Sequence, residues 1–94
     1  MSVAALRQEI EEIDLRIVEL IAKRQGLAAR LVPLKREAGL PIRDDAQRQH
    51  VLDRIFRDAV ERKIDPVRVQ QIFEILIRMS EERQQGCSGD GNLP

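Results

Sequence analysis

Arg24 stands where the apolar pattern of its segment asks for a leucine. Val3, Leu6, Ile10, Ile13, Ile17, Leu20, Leu27, Leu31 and Leu34 follow one another in alternating steps of three and four, and position 24 completes the series. That spacing is a helical heptad seam, which is normally withdrawn from water. A guanidinium withdrawn from water is costly without an anion beside it. Two readings stand at this point. Arg24 belongs to a buried ion pair or sets helix register, as polar seam residues do in coiled coils. Alternatively, it binds an anionic ligand inside a helical bundle.

Lys35 follows eleven residues later. Eleven residues turn a helix by about 1100°, back to within about 20° of the same face, and advance it by about 16 Å. Two long cationic side chains leaning together across that distance can grip one small molecule; a solvated lysine is the competing reading. Lysine is scarce in the chain, at three residues against thirteen arginines, which makes this one conspicuous. Arg7 precedes Arg24 by seventeen residues, about 25 Å along the same helix. It cannot share a small ligand with its own Arg24 but can do so across an antiparallel dimer. Otherwise it is a solvated arginine beside Glu11 at i+4. Further along, the stripe Val69–Phe73–Leu76 runs on into Ser80 and Gln84. These are four residues apart and place a hydroxyl and an amide where apolar groups would continue, unless the helix simply frays into solvent. Nucleophilic and metal chemistry find no support: His50 has no catalytic partner at the usual spacings, Asp44-Asp45 reads as helix capping, and one cysteine (Cys87) with one histidine cannot make an ordinary zinc site.

Three helices are needed to position these groups. The first spans about residues 3–37, with Ser2 as N-cap and Ala38-Gly39 followed by Pro41 as the stop. Pro33 lies inside it, so its last turn is expected to kink or end early. Residues 39–43 (GLPIR) form a loop. A second helix, about 45–62, is capped by Asp44 or Asp45 and carries Val51, Leu52, Ile55, Phe56, Ala59 and Val60 as its apolar stripe. Asp65-Pro66 reads as N-cap and first helical residue of a third helix, about 66–85, with Val69, Ile72, Phe73, Leu76 and Met79 on one side. Residues 1–85 form one domain, and the Gly- and Ser-rich tail 86–94 is expected to be disordered.

Composition agrees with an all-α chain. The 94 residues include two aromatics, both phenylalanine, so sheet cores and base-stacking surfaces are disfavoured. Sixteen basic residues balance sixteen acidic ones, which argues against nucleic-acid or anionic-membrane binding. No apolar run approaches a membrane span, no secretory feature is evident, and a cytoplasmic location is expected. Thirty-five helical residues extend about 52 Å, whereas a compact chain of this length has a radius of gyration near 12 Å. A seam projecting that far calls for a second copy, so the fold expected is an intertwined homodimeric helical bundle, antiparallel, with one long and two shorter helices per chain.

The chain resembles the all-helical (type II) chorismate mutases. The resemblance runs from Leu6 to Gln84 and is carried by LRQEIEEIDLRIVELIAKR at 6–24, Lys35, GLPIRD at 39–44 and FEILIRMSEERQ at 73–84. The family's functional positions coincide, without a gap, with Arg7, Arg24, Lys35, Asp44, Ser80 and Gln84. The resemblance implies a Claisen rearrangement of chorismate, a dicarboxylate, to prephenate on the route to phenylalanine and tyrosine. It implies no cofactor or metal. It also implies a dimer with two equivalent sites, in which Arg24 and the partner subunit's Arg7 hold the two carboxylates, helped by Ser80. Lys35 and Gln84 would donate to the ether oxygen, and the Asp44 region would orient the ring hydroxyl. Such a pericyclic step needs a folded substrate and fixed positive charge at the breaking ether bond.

There are two departures. The family shows Asp-x-x-Arg-Glu at the start of the second helix; without a gap, Gln47 and Arg48 take the last two places. A one-residue shift reads Asp45-Ala-Gln-Arg48-Gln49 but turns the helix core by about 100°, so the ungapped register is favoured for the helix body. Pro33, close to Lys35, is the second. Isochorismate pyruvate lyase is the alternative within the fold, and a non-catalytic dimerisation or effector-binding module is the alternative outside catalysis.

Overall fold

The computed structural model describes residues 1–86; the tail from Cys87 onward lies outside the described residues. Three helices follow in order: α1 (Val3–Ala38), α2 (Asp45–Glu61) and α3 (Pro66–Gly86). Each boundary has a local cause. The Ser2 hydroxyl accepts the Ala5 N–H at 3.1 Å and starts α1. Gly39, at φ 68°, ends it in the left-handed region that a side chain would disfavour. There the Leu40 N–H reaches back to the Lys35 carbonyl at 2.8 Å. Asp44, not Asp45, caps α2, its Oδ1 accepting the Gln47 N–H at 3.1 Å. Asp65 caps α3 through the N–H groups of Val67 and Arg68, with Pro66 as first helical residue.

α1 does not end at Pro33; it continues five residues beyond, to Ala38. A proline at 33 removes the donor for one carbonyl, that of Ala29. Pro33 is exposed, and the turn beyond it is held by the Gly39 cap and by bonds of the Lys35 side chain.

α3 packs against both α1 and α2, while no Cα pair of α1 and α2 comes within 8 Å. The buried apolar side chains are accordingly few: Ala28 and Val32 from α1, Leu52, Ile55 and Ala59 from α2, and Ile77 from α3. Ile77 was not in the apolar stripe read from the sequence. Because α3 is covered on two sides, its buried arc is wider than one stripe, and Ile77 sits at its centre. Beyond this core α1 stands free. Residues 3–20 are all exposed, with Ile10, Ile13 and Leu20 at 56–59% of full exposure. The longest dimension of the chain is 54 Å and its radius of gyration 16.2 Å, well above the ~12 Å of a compact chain of this length. Among the described residues, no helix is long and apolar enough to cross a membrane.

Candidate active site

Where α1 and α2 diverge above α3, they leave a cavity of about 270 Å³, close to the lower end of small-molecule sites. Arg24 and Lys35 enter it from α1, Asp44, Gln47 and Arg48 from the start of α2, and Ser80 and Gln84 from α3. Leu27, Leu31, Ile42, Val51 and Ile77 supply its apolar surface. The structure thus gathers seven of the eight residues singled out in the sequence around one space. Arg7 is the exception, exposed on the free part of α1.

Arg24 is half-buried and has no carboxylate within ion-pair distance among the described residues. Its Nη1 donates to the Leu76 carbonyl at 3.1 Å and to the Ser80 hydroxyl, which in turn donates to the same carbonyl at 3.1 Å. These neutral acceptors orient the guanidinium without neutralising it. Burial, and secondarily the positive charge of Arg54, hold its pKa below the ordinary arginine value. Arg24 is therefore a cation held under electrostatic stress at the edge of a cavity, with donors to spare.

Lys35 and Gln84 form the second polar unit. Lys35 Nζ donates to the Ile42 carbonyl at 3.0 Å and to Gln84 Oε1 at 3.0 Å. Gln84, 4% exposed, donates from Nε2 to the Ala28 carbonyl at 2.9 Å. Its two partners fix which end of the amide is which, since an ammonium must face oxygen and a carbonyl must face N–H. One ammonium hydrogen and one amide hydrogen are left over. Lys35 thus bridges α1, the 39–43 loop and α3.

On α2, Asp44 spends Oδ1 on the cap, and Gln47 and Arg48 share the cavity rim, with Arg48 half-buried. Capping by Asp44 anchors the ungapped register, which buries Leu52 and Ile55 as the stripe requires. Glu81, also half-buried, lines the cavity and was missed in the sequence. Standing next to Ser80, it lies about 100° away around the helix, and only the position of α2 shows that its side faces a cavity. Among the described residues no cluster of three acids, histidines or cysteines is placed to hold a metal ion.

A family model described as chorismate mutase type II matches residues 6–85. A curated relative from Methanocaldococcus jannaschii, named chorismate mutase, is 36% identical over 81 residues, covering 86% of this chain and 82% of that protein.

Proposed function

The chain belongs to the type II chorismate mutase family, and from that premise we propose how its residues carry out the rearrangement of chorismate to prephenate. The enzyme is an isomerase: one C–O bond breaks and one C–C bond forms within a single molecule, so no nucleophile or redox partner is consumed. Its side chains must hold the substrate folded, with the two reacting carbons in contact. They must also place positive charge at the ether oxygen, which gains electron density as its bond stretches.

Lys35 and Gln84 supply that charge and hydrogen bonding. Each is pinned by protein partners and each keeps one N–H for the substrate. Being fixed before substrate arrives, they need no reorganisation as charge develops. Arg24 takes one carboxylate, with Ser80 buttressing it, and the dianion relieves the stress that burial and Arg54 impose on the guanidinium. Arg48 and Gln47 close the α2 side. The apolar surface excludes water and strengthens each of these interactions.

The second carboxylate falls to the partner subunit's Arg7. The exposed α1 seam supports a homodimer in which long helices pair antiparallel. A two-fold axis near residues 15–16 would bring Arg7 of one chain level with Arg24 of the other, since both lie about 13 Å from that point along the helix. Aromatic amino-acid biosynthesis is the route such a reaction serves.

The observation carrying this reading is the Arg24, Lys35 and Gln84 triplet around one cavity, each tied to protein yet left with a donor free. The test is product analysis on purified protein. Prephenate formed from chorismate supports it. Pyruvate and salicylate from isochorismate, with chorismate untouched, would replace it with the lyase.

A further inference from the structure

We propose that Glu81 is the residue that recognises the ring hydroxyl of the substrate, a role that rests on the chorismate reading above. The cavity of a dianion-binding site contains two carboxylates, Asp44 and Glu81. Asp44 is exposed, and its Oδ1 is taken by the α2 cap through the Gln47 N–H. Glu81 is half-buried and makes no hydrogen bond or ion pair among the described residues.

Its place on α3 says which wall it occupies. Gln70 donates to the Leu52 carbonyl at 3.0 Å and so marks the side of α3 that faces α2. Glu81 is eleven residues further on, within about 20° of the same stripe. Ser80 and Gln84, by contrast, bond Arg24, Lys35 and the Ala28 carbonyl, all on α1. The cavity therefore has two chemically different walls. The α1 side and the α2 rim, with Gln47 and Arg48, present hydrogen-bond donors, while the α2-facing side of α3 presents a carboxylate that can only accept.

A carboxylate facing either carboxylate of the substrate, or its electron-rich ether oxygen, would be repelled. Chorismate has one group that can donate to it, the ring hydroxyl. Glu81 accepts that hydrogen bond and, with Arg24 opposite, fixes how the ring sits in the cavity. Selectivity follows: isochorismate carries its hydroxyl at a different ring carbon and presents no donor to Glu81 when its carboxylates are held in the same way.

The test compares wild type, Glu81→Ala and Glu81→Gln with chorismate, and with a chorismate analogue lacking the ring hydroxyl as inhibitor. Folding of each variant is checked by circular dichroism. Loss of a hydrogen bond to a charged acceptor should raise KM for chorismate in Glu81→Ala about 10- to 100-fold. Glu81→Gln, which keeps an acceptor oxygen, should fall between it and wild type. The deoxy analogue should inhibit all three with constants equal within about threefold. A KM unchanged or lowered in Glu81→Ala, or an analogue that binds the variants much more tightly than wild type, overturns the assignment and makes Glu81 only a repelling charge. Wild-type protein that leaves chorismate untouched overturns the chorismate reading and this one with it.

Discussion

Replacing Arg24 by leucine restores the heptad and separates the two explanations of the arginine. On the stability side, the variant loses the bonds from Nη1 to the Leu76 carbonyl and the Ser80 hydroxyl, together about 2 kcal/mol at a typical net value. Neither acceptor is left bare, because Ser80 still donates to the Leu76 carbonyl at 3.1 Å. Against that loss, the leucine adds about 1 kcal/mol of apolar burial at a half-exposed site. The variant also removes a desolvated charge that Arg54 repels. Urea denaturation should therefore place Arg24→Leu within about 1 kcal/mol of wild type. Catalysis should respond quite differently. Removing one partner of a desolvated, hydrogen-bonded charge pair costs about 2–5 kcal/mol, which is roughly a 30- to 5,000-fold loss of kcat/KM at about 1.4 kcal/mol per decade. The assay is chorismate consumption with denaturation curves on the same preparations. A variant destabilised by more than about 3 kcal/mol, or one that keeps its activity within threefold, would refute the reasoning.

The lowered pKa of Arg24 also fixes a sign. Its folded state disfavours the charged form, so the arginine costs stability throughout the working pH range, and a bound dianion returns it. A dicarboxylate at 100 times its Kd should stabilise wild type by about 2.7 kcal/mol, read as a rise in Tm, and the rise should be largely absent in Arg24→Leu. Lys35→Met removes the ties to Ile42 and Gln84; it should lower kcat by at least about tenfold with a smaller change in KM, and cost about 1–2 kcal/mol of stability. Lys63, at φ 59°, closes α2 in a left-handed conformation. Lys63→Gly should stabilise the fold by about 1 kcal/mol in thermal or urea melts and leave kinetics unchanged. Inactive Arg7→Ala and Arg24→Ala proteins, mixed and allowed to exchange subunits, should regain activity, because one site of each mixed dimer has both arginines. No recovery despite confirmed exchange would count against sites built from two chains.

Much of this arrangement is legible in the sequence because the relevant residues break a pattern. Arg24 interrupts a heptad, Lys35 returns to its face after eleven residues, and Ser80 and Gln84 interrupt the α3 stripe. The caps are local and act through the next three residues, so Ser2 and Asp65 could be read directly and the α2 cap narrowed to Asp44 or Asp45. What escaped depends on how helices lie together. Ile77 is central only because α3 is covered on two sides. Glu81 reads as one more charge on a solvated face until α2 is placed above it. The early end allowed for at Pro33 does not occur, because a single-helix cost ignores the cap and the lysine ties that hold the turn beyond it.

A crystal structure with a bound bicyclic dicarboxylate mimicking the rearranging substrate gives the most direct check. One carboxylate should lie about 3 Å from the Arg24 guanidinium, with the ether oxygen between Lys35 Nζ and Gln84 Nε2. The other carboxylate should meet Arg7 from a second chain. A ligand bound elsewhere, with the guanidinium still tied only to Leu76 and Ser80, would contradict the proposal that a doubly negative substrate is what holds an arginine on this seam.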